Sequence, residues 1–214
     1  MNYLAHAAEH LGDAYFVAGT ALPDWMNVVD RKNRPRRAYA VEVIEDADPR
    51  VARLAQGCVR HHDDDGWFHT NARFVDLSTR LAIELRGLMG SDQSHQAGFT
   101  GHVLVELLLD AVLCERDPTL LPRYYDLLRS LDPNAVQDSA SRICRRPVLG
   151  LADLLPKFIE SNFLADYGSD EGLMFRMNGL MRRVGLPQLP PAVLPWLPTA
   201  RERVRRDADE MLSP

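Results

Sequence analysis

The stretch from Phe99 to Cys114 constrains this chain more than any other. It reads Phe-Thr-Gly-His-Val-Leu-Val-Glu-Leu-Leu-Leu-Asp-Ala-Val-Leu-Cys, and past Gly101 only His102, Glu106 and Asp110 are not apolar. An apolar run of that length predicts a helix buried nearly all round, so the fold must bring apolar partners to almost every face of it. The three polar residues recur at intervals of four and therefore share one helical face. Burying a carboxylate is costly unless it pairs, neutralises or meets a cation, and the intervening residues are only Val and Leu. A metal ion answers that cost directly, as would arginines from other helices.

A second dense stretch, Gly57-Cys-Val-Arg-His-His-Asp-Asp-Asp-Gly-Trp-Phe-His69, carries three histidines and three aspartates between His61 and His69. The recurrence of Val51, Leu54, Ala55, Cys58, Val59 and Phe68 makes residues 51–74 largely helical, which aligns His61, Asp65 and His69. Gly66 weakens a helix there by about 1 kcal/mol relative to Ala. A break near Gly66 is one alternative, and a literal His62–Asp63 dyad is another. Helical rise separates the first and third members of each set by about 12 Å, too far to touch one ion through bonds of about 2 Å. Each helix therefore offers one or two direct ligands. Mixed imidazole and carboxylate donors suit zinc, manganese, iron or nickel.

Elsewhere the period is also helical. Tyr3, Leu4, Ala7, Ala8, Leu11, Ala14, Tyr15 and Ala18 predict a helix over residues 2–18, interrupted at Gly12, with His6 and His10 on one face. Gly19 to Trp25 reads as a turn, with Pro23 in the first turn of a new helix and Asp24 just after the bend. Asp48-Pro49, Asp117-Pro118 and Asp132-Pro133 mark three helix starts. Thr70-Asn71 opens a helix to about Gly87, and Gly87 to Gly98 is a polar connection that includes His95. Helices follow at about 133–144, 148–163 and 169–185. Leu186 to Pro198 is irregular cover and Thr199 to Leu212 a last charged helix. Strand patterns are scarce. The expectation is one all-α domain over 1–214, a helical bundle with its metal-site region at about 1–117 and C-terminal helices and proline-rich cover at 118–214.

A hydrophobic content of 46% over 214 residues supports a substantial core. The net charge of -5 gives no indication of nucleic-acid binding, although Arg31, Lys32, Arg34, Arg36 and Arg37 cluster around Pro35. Three widely spaced cysteines, Cys58, Cys114 and Cys144, lack paired zinc spacing and fit buried thiols in a reducing cytoplasm. Neither a secretion signal nor a membrane span is expected. Phosphate-cradling glycine loops and a serine nucleophile elbow do not occur.

Several motifs, in order, resemble the acyl carrier protein phosphodiesterases, small all-helical proteins related to the HD-domain metal-dependent phosphohydrolases. Met1-Asn-Tyr-Leu-Ala-His6 is similar to that family's Met-Asn-Phe-Leu-Ala-His. Gly19-Thr-Ala-Leu-Pro-Asp24-Trp resembles its Gly-Asn-Leu-Leu-Ala/Gly-Asp-Phe, and Gly57-Cys-Val-Arg-His61-His-Asp-Asp-Asp65 its Gly-Ile-x-x-His-Arg-x-Ile-Asp. Glu106-Leu-Leu-Leu-Asp110 is a looser match, and the likeness covers about the first 115 residues. The family's Arg and Ile are His62 and Asp64 here, and an aspartate that follows its motif is His69.

The resemblance implies an HD-domain-like metal-dependent phosphoesterase acting on a phosphoester substrate, with an acidic carrier protein among the expected partners. His6, Asp24, His61, Asp65 and Asp110 are the expected metal ligands, and His69, His102 and Glu106 the expected catalytic groups or further ligands. Arginines of 31–37 or 142–146 would steer a phosphate or an acidic partner. The alternatives are a helical metal-binding or partner-binding protein without turnover, a zinc phospholipase C-like enzyme, and a di-iron helical enzyme.

Overall fold

The structure is a computed structural model that describes residues 1–90 and 94–213. Its regular elements are the helices α1 (Tyr3–Ala7), α2 (Ala14–Val29), α3 (Arg37–Val41), α4 (Pro49–Phe68), α5 (Ala72–Met89), α6 (Ser94–Arg116), α7 (Leu120–Arg129), α8 (Pro133–Cys144), α9 (Leu151–Ser161), α10 (Asp170–Val184) and α11 (Leu197–Met211). Turns of 3₁₀ helix lie at Ala8–His10, Phe163–Gly168 and Pro191–Trp196. The described residues contain no strand, so the fold is all-α.

Local chemistry accounts for several helix starts. Asp132 accepts from the Asn134 N–H with Pro133 in the first turn of α8, Asp48 accepts from the Arg50 N–H at the start of α4, and Asn71 accepts from Arg73 and Phe74 at the start of α5. Asp117-Pro118 behaves differently. Helix α7 begins at Leu120 after Thr119, two residues past the proline, and has no side-chain cap. Helix α6 begins at Ser94, so Gly98 is helical and the polar connection is shorter than the composition suggests. Gly66 interrupts nothing, since α4 continues to Phe68.

The largest departure is in α2, which runs unbroken through the Gly19 to Trp25 segment with Asp13 capping its N-terminus and Pro23 in its interior. Gly19 serves close approach there instead of a turn. A methyl on Gly19 would lie 2.2 Å from the Leu54 carbonyl oxygen, and one on Gly57 2.0 Å from that of Phe16. Only two glycines facing each other let α2 and α4 cross this tightly. Pro23 removes the N–H that would bond the Gly19 carbonyl, loosening the ladder beside Thr20.

The chain resolves into two compact units interleaved in sequence. One comprises His6–Gly66 and Thr119–Asn162, and its core is built from Val17, Leu22, Trp25, Leu54, Cys58, Tyr125, Ile143, Leu155 and Phe158, all buried. The other comprises Met1–Ala5, Trp67–Pro118 and Phe163–Pro214, in which α6 packs on α5, α10, α11 and the Phe163–Gly168 turn. Gly101 allows α6 onto α5, because a methyl there would meet the Ser78 carbonyl at 2.7 Å. Both units thus draw on residues before and after 118. By length and composition Gln96–Arg116 would be long and apolar enough to cross a membrane, but most of it is buried inside this unit.

Candidate metal centres

Six of the sequence-predicted site residues fall into two clusters, each inside one unit, and Asp24 and Asp110 do not join either. In the first, ligand atoms of His6, His61 and Asp65 all lie within 4.8 Å of one another. His61 and Asp65 come from successive turns of α4, and His6 from α1. The imidazoles of His6 and His61 stack with centroids 4.3 Å apart. His61 Nδ1 sits 2.8 Å from the Thr20 carbonyl oxygen. A carbonyl only accepts, so His61 Nδ1 carries a proton and Nε2 is the nitrogen left facing inward. His6 Nδ1 lies 3.1 Å from Asp64 Oδ2, and Arg60 holds the other oxygen of Asp64 at 2.6 Å. The two Nε2 atoms face Asp65, each 3.4 Å from a different carboxylate oxygen. His6 Nε2 is buried without a hydrogen-bond partner.

This arrangement has the donor chemistry of a cation site. Two imidazole nitrogens and a carboxylate converge, and the outward nitrogen of each histidine is fixed by an acceptor, the usual way a ligating imidazole is oriented. Burial disfavours the imidazolium at His6, yet the Asp64 and Asp65 carboxylates outweigh it and raise its pKa above the ordinary histidine value. Burial would raise the Asp65 pKa, but His6 and His61 hold it well below the usual carboxylate range. Asp24 lies near enough to feel the charges of His61, His6 and Asp65, and burial pushes its pKa up. It is not among the three residues whose ligand atoms converge.

In the second cluster His69 Nε2 and His102 Nε2 lie 3.0 and 3.1 Å from the same oxygen, Glu106 Oε1. The two rings are 4.9 Å apart, and Phe74 packs against both. The α-amino nitrogen of Met1 is 3.6 Å from that same oxygen. Burial would raise the Glu106 pKa, but His102 and then His69 hold it well below its ordinary value.

Asp110 takes a different place from the one expected. Its carboxylate accepts from Asn2 Nδ2 at 2.8 Å, the Leu4 N–H at 3.1 Å and the Ala5 N–H at 2.9 Å. A fully buried charge is therefore compensated by the open N-terminal amides of α1, and neither cluster includes it. Nothing in the spacing of α6 separates this use from ligation, because both need an acidic residue on a buried face.

Other candidates fall outside the clusters. His62 Nε2 bonds the Pro35 carbonyl at 2.8 Å, and burial lowers its pKa. Asp63 pairs with Arg37, leaving no His62–Asp63 dyad. His10 packs on Phe16 from the 3₁₀ turn, and the side chain of His95 lies outside the described residues. Arg142 and Arg145 are paired with Asp46 and Glu42, which leaves the exposed Arg31, Lys32, Arg34 and Arg36 as the cations of the basic loop. All three cysteines are free thiols, and burial pushes Cys58 far up and Cys114 and Cys144 up to about 12.

Two contributors escape a reading by four-residue spacing. Asp64 stands three positions after His61 and supports His6 instead, and Thr20 acts through its carbonyl, which no side chain announces. Comparison with protein-family models, curated proteins and solved structures finds no match for the chain.

Proposed function

We propose that the protein is a metal-dependent phosphoesterase, with the phosphodiester preference, HD-domain-like helical site and cytoplasmic setting that the acyl carrier protein phosphodiesterase resemblance implies. The observation that carries this reading is the pair of imidazole Nε2 atoms facing Asp65, with both Nδ1 positions fixed from behind. His6, His61 and Asp65 would hold the ion, drawn from manganese, iron, nickel or zinc. Bound there, a divalent ion lowers the pKa of a water toward neutrality and withdraws charge from a phosphoryl oxygen.

The protein's own groups have separable parts. Asp64 and the Thr20 carbonyl keep each imidazole in the tautomer that presents Nε2 inward. Asp65, whose side chain is 31% exposed, is the open side of an otherwise buried cluster, so substrate would approach past it. Asp24, which feels the charges of His61, His6 and Asp65, would be a further carboxylate beside the ion. The exposed cations of residues 31–36 would attract phosphate or an acidic carrier protein, and their reach is electrostatic and weakened by salt.

The test is hydrolysis of bis-p-nitrophenyl phosphate, p-nitrophenyl phosphate and a phosphopantetheinylated carrier protein in the presence of manganese, nickel, iron or zinc. Metal-dependent turnover of a phosphodiester that falls at least about 100-fold in Asp65→Asn is expected. Metal binding with no turnover of any of these substrates would contradict the enzymatic reading and favour a metal-binding protein.

A further inference from the structure

We infer that His69, His102 and Glu106 form a second, independent site for a divalent transition metal of the zinc class. The inference does not rest on the centre proposed for phosphoester hydrolysis. Three observations converge. His102 and Glu106 are four apart on α6, a spacing that puts both on one helical face as a chelating pair. His69, from the turn after α4, adds its Nε2 to the same point, so the donor set is two imidazoles and one carboxylate. The distances also fit. Bonds of about 2.0–2.2 Å place neighbouring ligand atoms about 3 Å apart around a shared ion, and the two nitrogens stand 3.0 and 3.1 Å from Glu106 Oε1.

The surroundings give this site a character of its own. Phe74 meets the His102 ring edge to face at 4.9 Å and the His69 ring at 5.5 Å, which restrains both imidazoles without occupying their nitrogens. The side chains of His69 and His102 are 36% and 43% exposed, while that of Glu106 is 16% exposed. A site with three protein ligands and solvent on its open side keeps positions for water or an exchangeable ligand, the pattern of reactive and not of closed structural sites. Imidazole with carboxylate favours zinc, nickel or cobalt over magnesium and calcium.

The experiment uses the full chain carrying Asp65→Asn, so that the first centre is impaired in every sample. Zinc binding is measured by calorimetry and cobalt(II) binding by its visible absorption, before and after adding His102→Gln or Glu106→Gln. Retention of about one equivalent of zinc, with affinity falling at least about 100-fold on either further substitution and far-UV circular dichroism unchanged, is the expected result. Cobalt should give absorption bands that the same substitutions abolish. Zinc affinity and cobalt spectra that do not change on His102→Gln and Glu106→Gln would overturn the site and leave a hydrogen-bonded cluster neutralised by the Met1 α-amino group. Because both variants keep the first centre in one state, this failure is distinct from failure of the phosphoesterase reading.

Discussion

Asp64, Asp65 and Asp110 are the same kind of residue with three different occupations, and what surrounds each oxygen decides which. Asp65 faces the Nε2 atoms of His6 and His61, Asp64 is held between Arg60 and the back of His6, and Asp110 receives the amides that open α1. The contrast gives a test at Asp110. Asp110→Asn should lower stability by about 1–3 kcal/mol, because a charged buried acceptor of three N–H groups is lost, and should leave metal content unchanged. Reduced metal with unchanged stability, measured by elemental analysis and thermal melting, would restore it as a ligand. At the surface, Arg50, first through its guanidinium and then its backbone N–H, holds Asp48 down to about 2. A depressed carboxyl stabilises the fold above its unfolded value of about 3.9 and loses that contribution as pH falls toward 2. The melting-temperature advantage of wild type over Asp48→Ala should therefore be constant above about pH 5 and shrink between about pH 4 and pH 2.

At the level of elements, periodicity located nearly every helix, and α8 runs over the expected residues, 133–144. The C-terminal helices were legible because each has an apolar stripe bounded by a cap or a proline. Helix α2 was not, because glycine and proline together read as a turn when only local conformation is weighed. Their tertiary uses, a backbone crossing at Gly19 and Gly57 and an opened ladder at Pro23, depend on a partner helix that no local pattern names. Gly57→Ala measures that dependence. Helix propensity alone favours alanine by about 1 kcal/mol, whereas the crossing requires the backbones to separate and should cost about 1–3 kcal/mol net. A higher melting temperature for Gly57→Ala would contradict the close crossing. Likewise, the histidines and carboxylates were legible as ligand types, but their division into two clusters was not, since one helix through residues 51–74 aligns His61 with His69, whereas α4 ends at Phe68 and the two fall in different clusters.

For the molecule as a whole, a bound metal would contribute to stability as well as to the proposed function. Ions that bind only the folded chain stabilise it by mass action, about 2.7 kcal/mol at one hundred times the dissociation constant, which for a chain of this size raises the melting temperature by about 5–10 °C. Exhaustive chelation should reverse that shift while the protein stays helical below the transition. Whether His6, His61 and Asp65 hold a divalent ion is read from the metal content of wild type and Asp65→Asn, purified identically and analysed by inductively coupled plasma mass spectrometry. The prediction is about one equivalent less metal in Asp65→Asn with the same far-UV circular dichroism. Equal metal in the two proteins would contradict it.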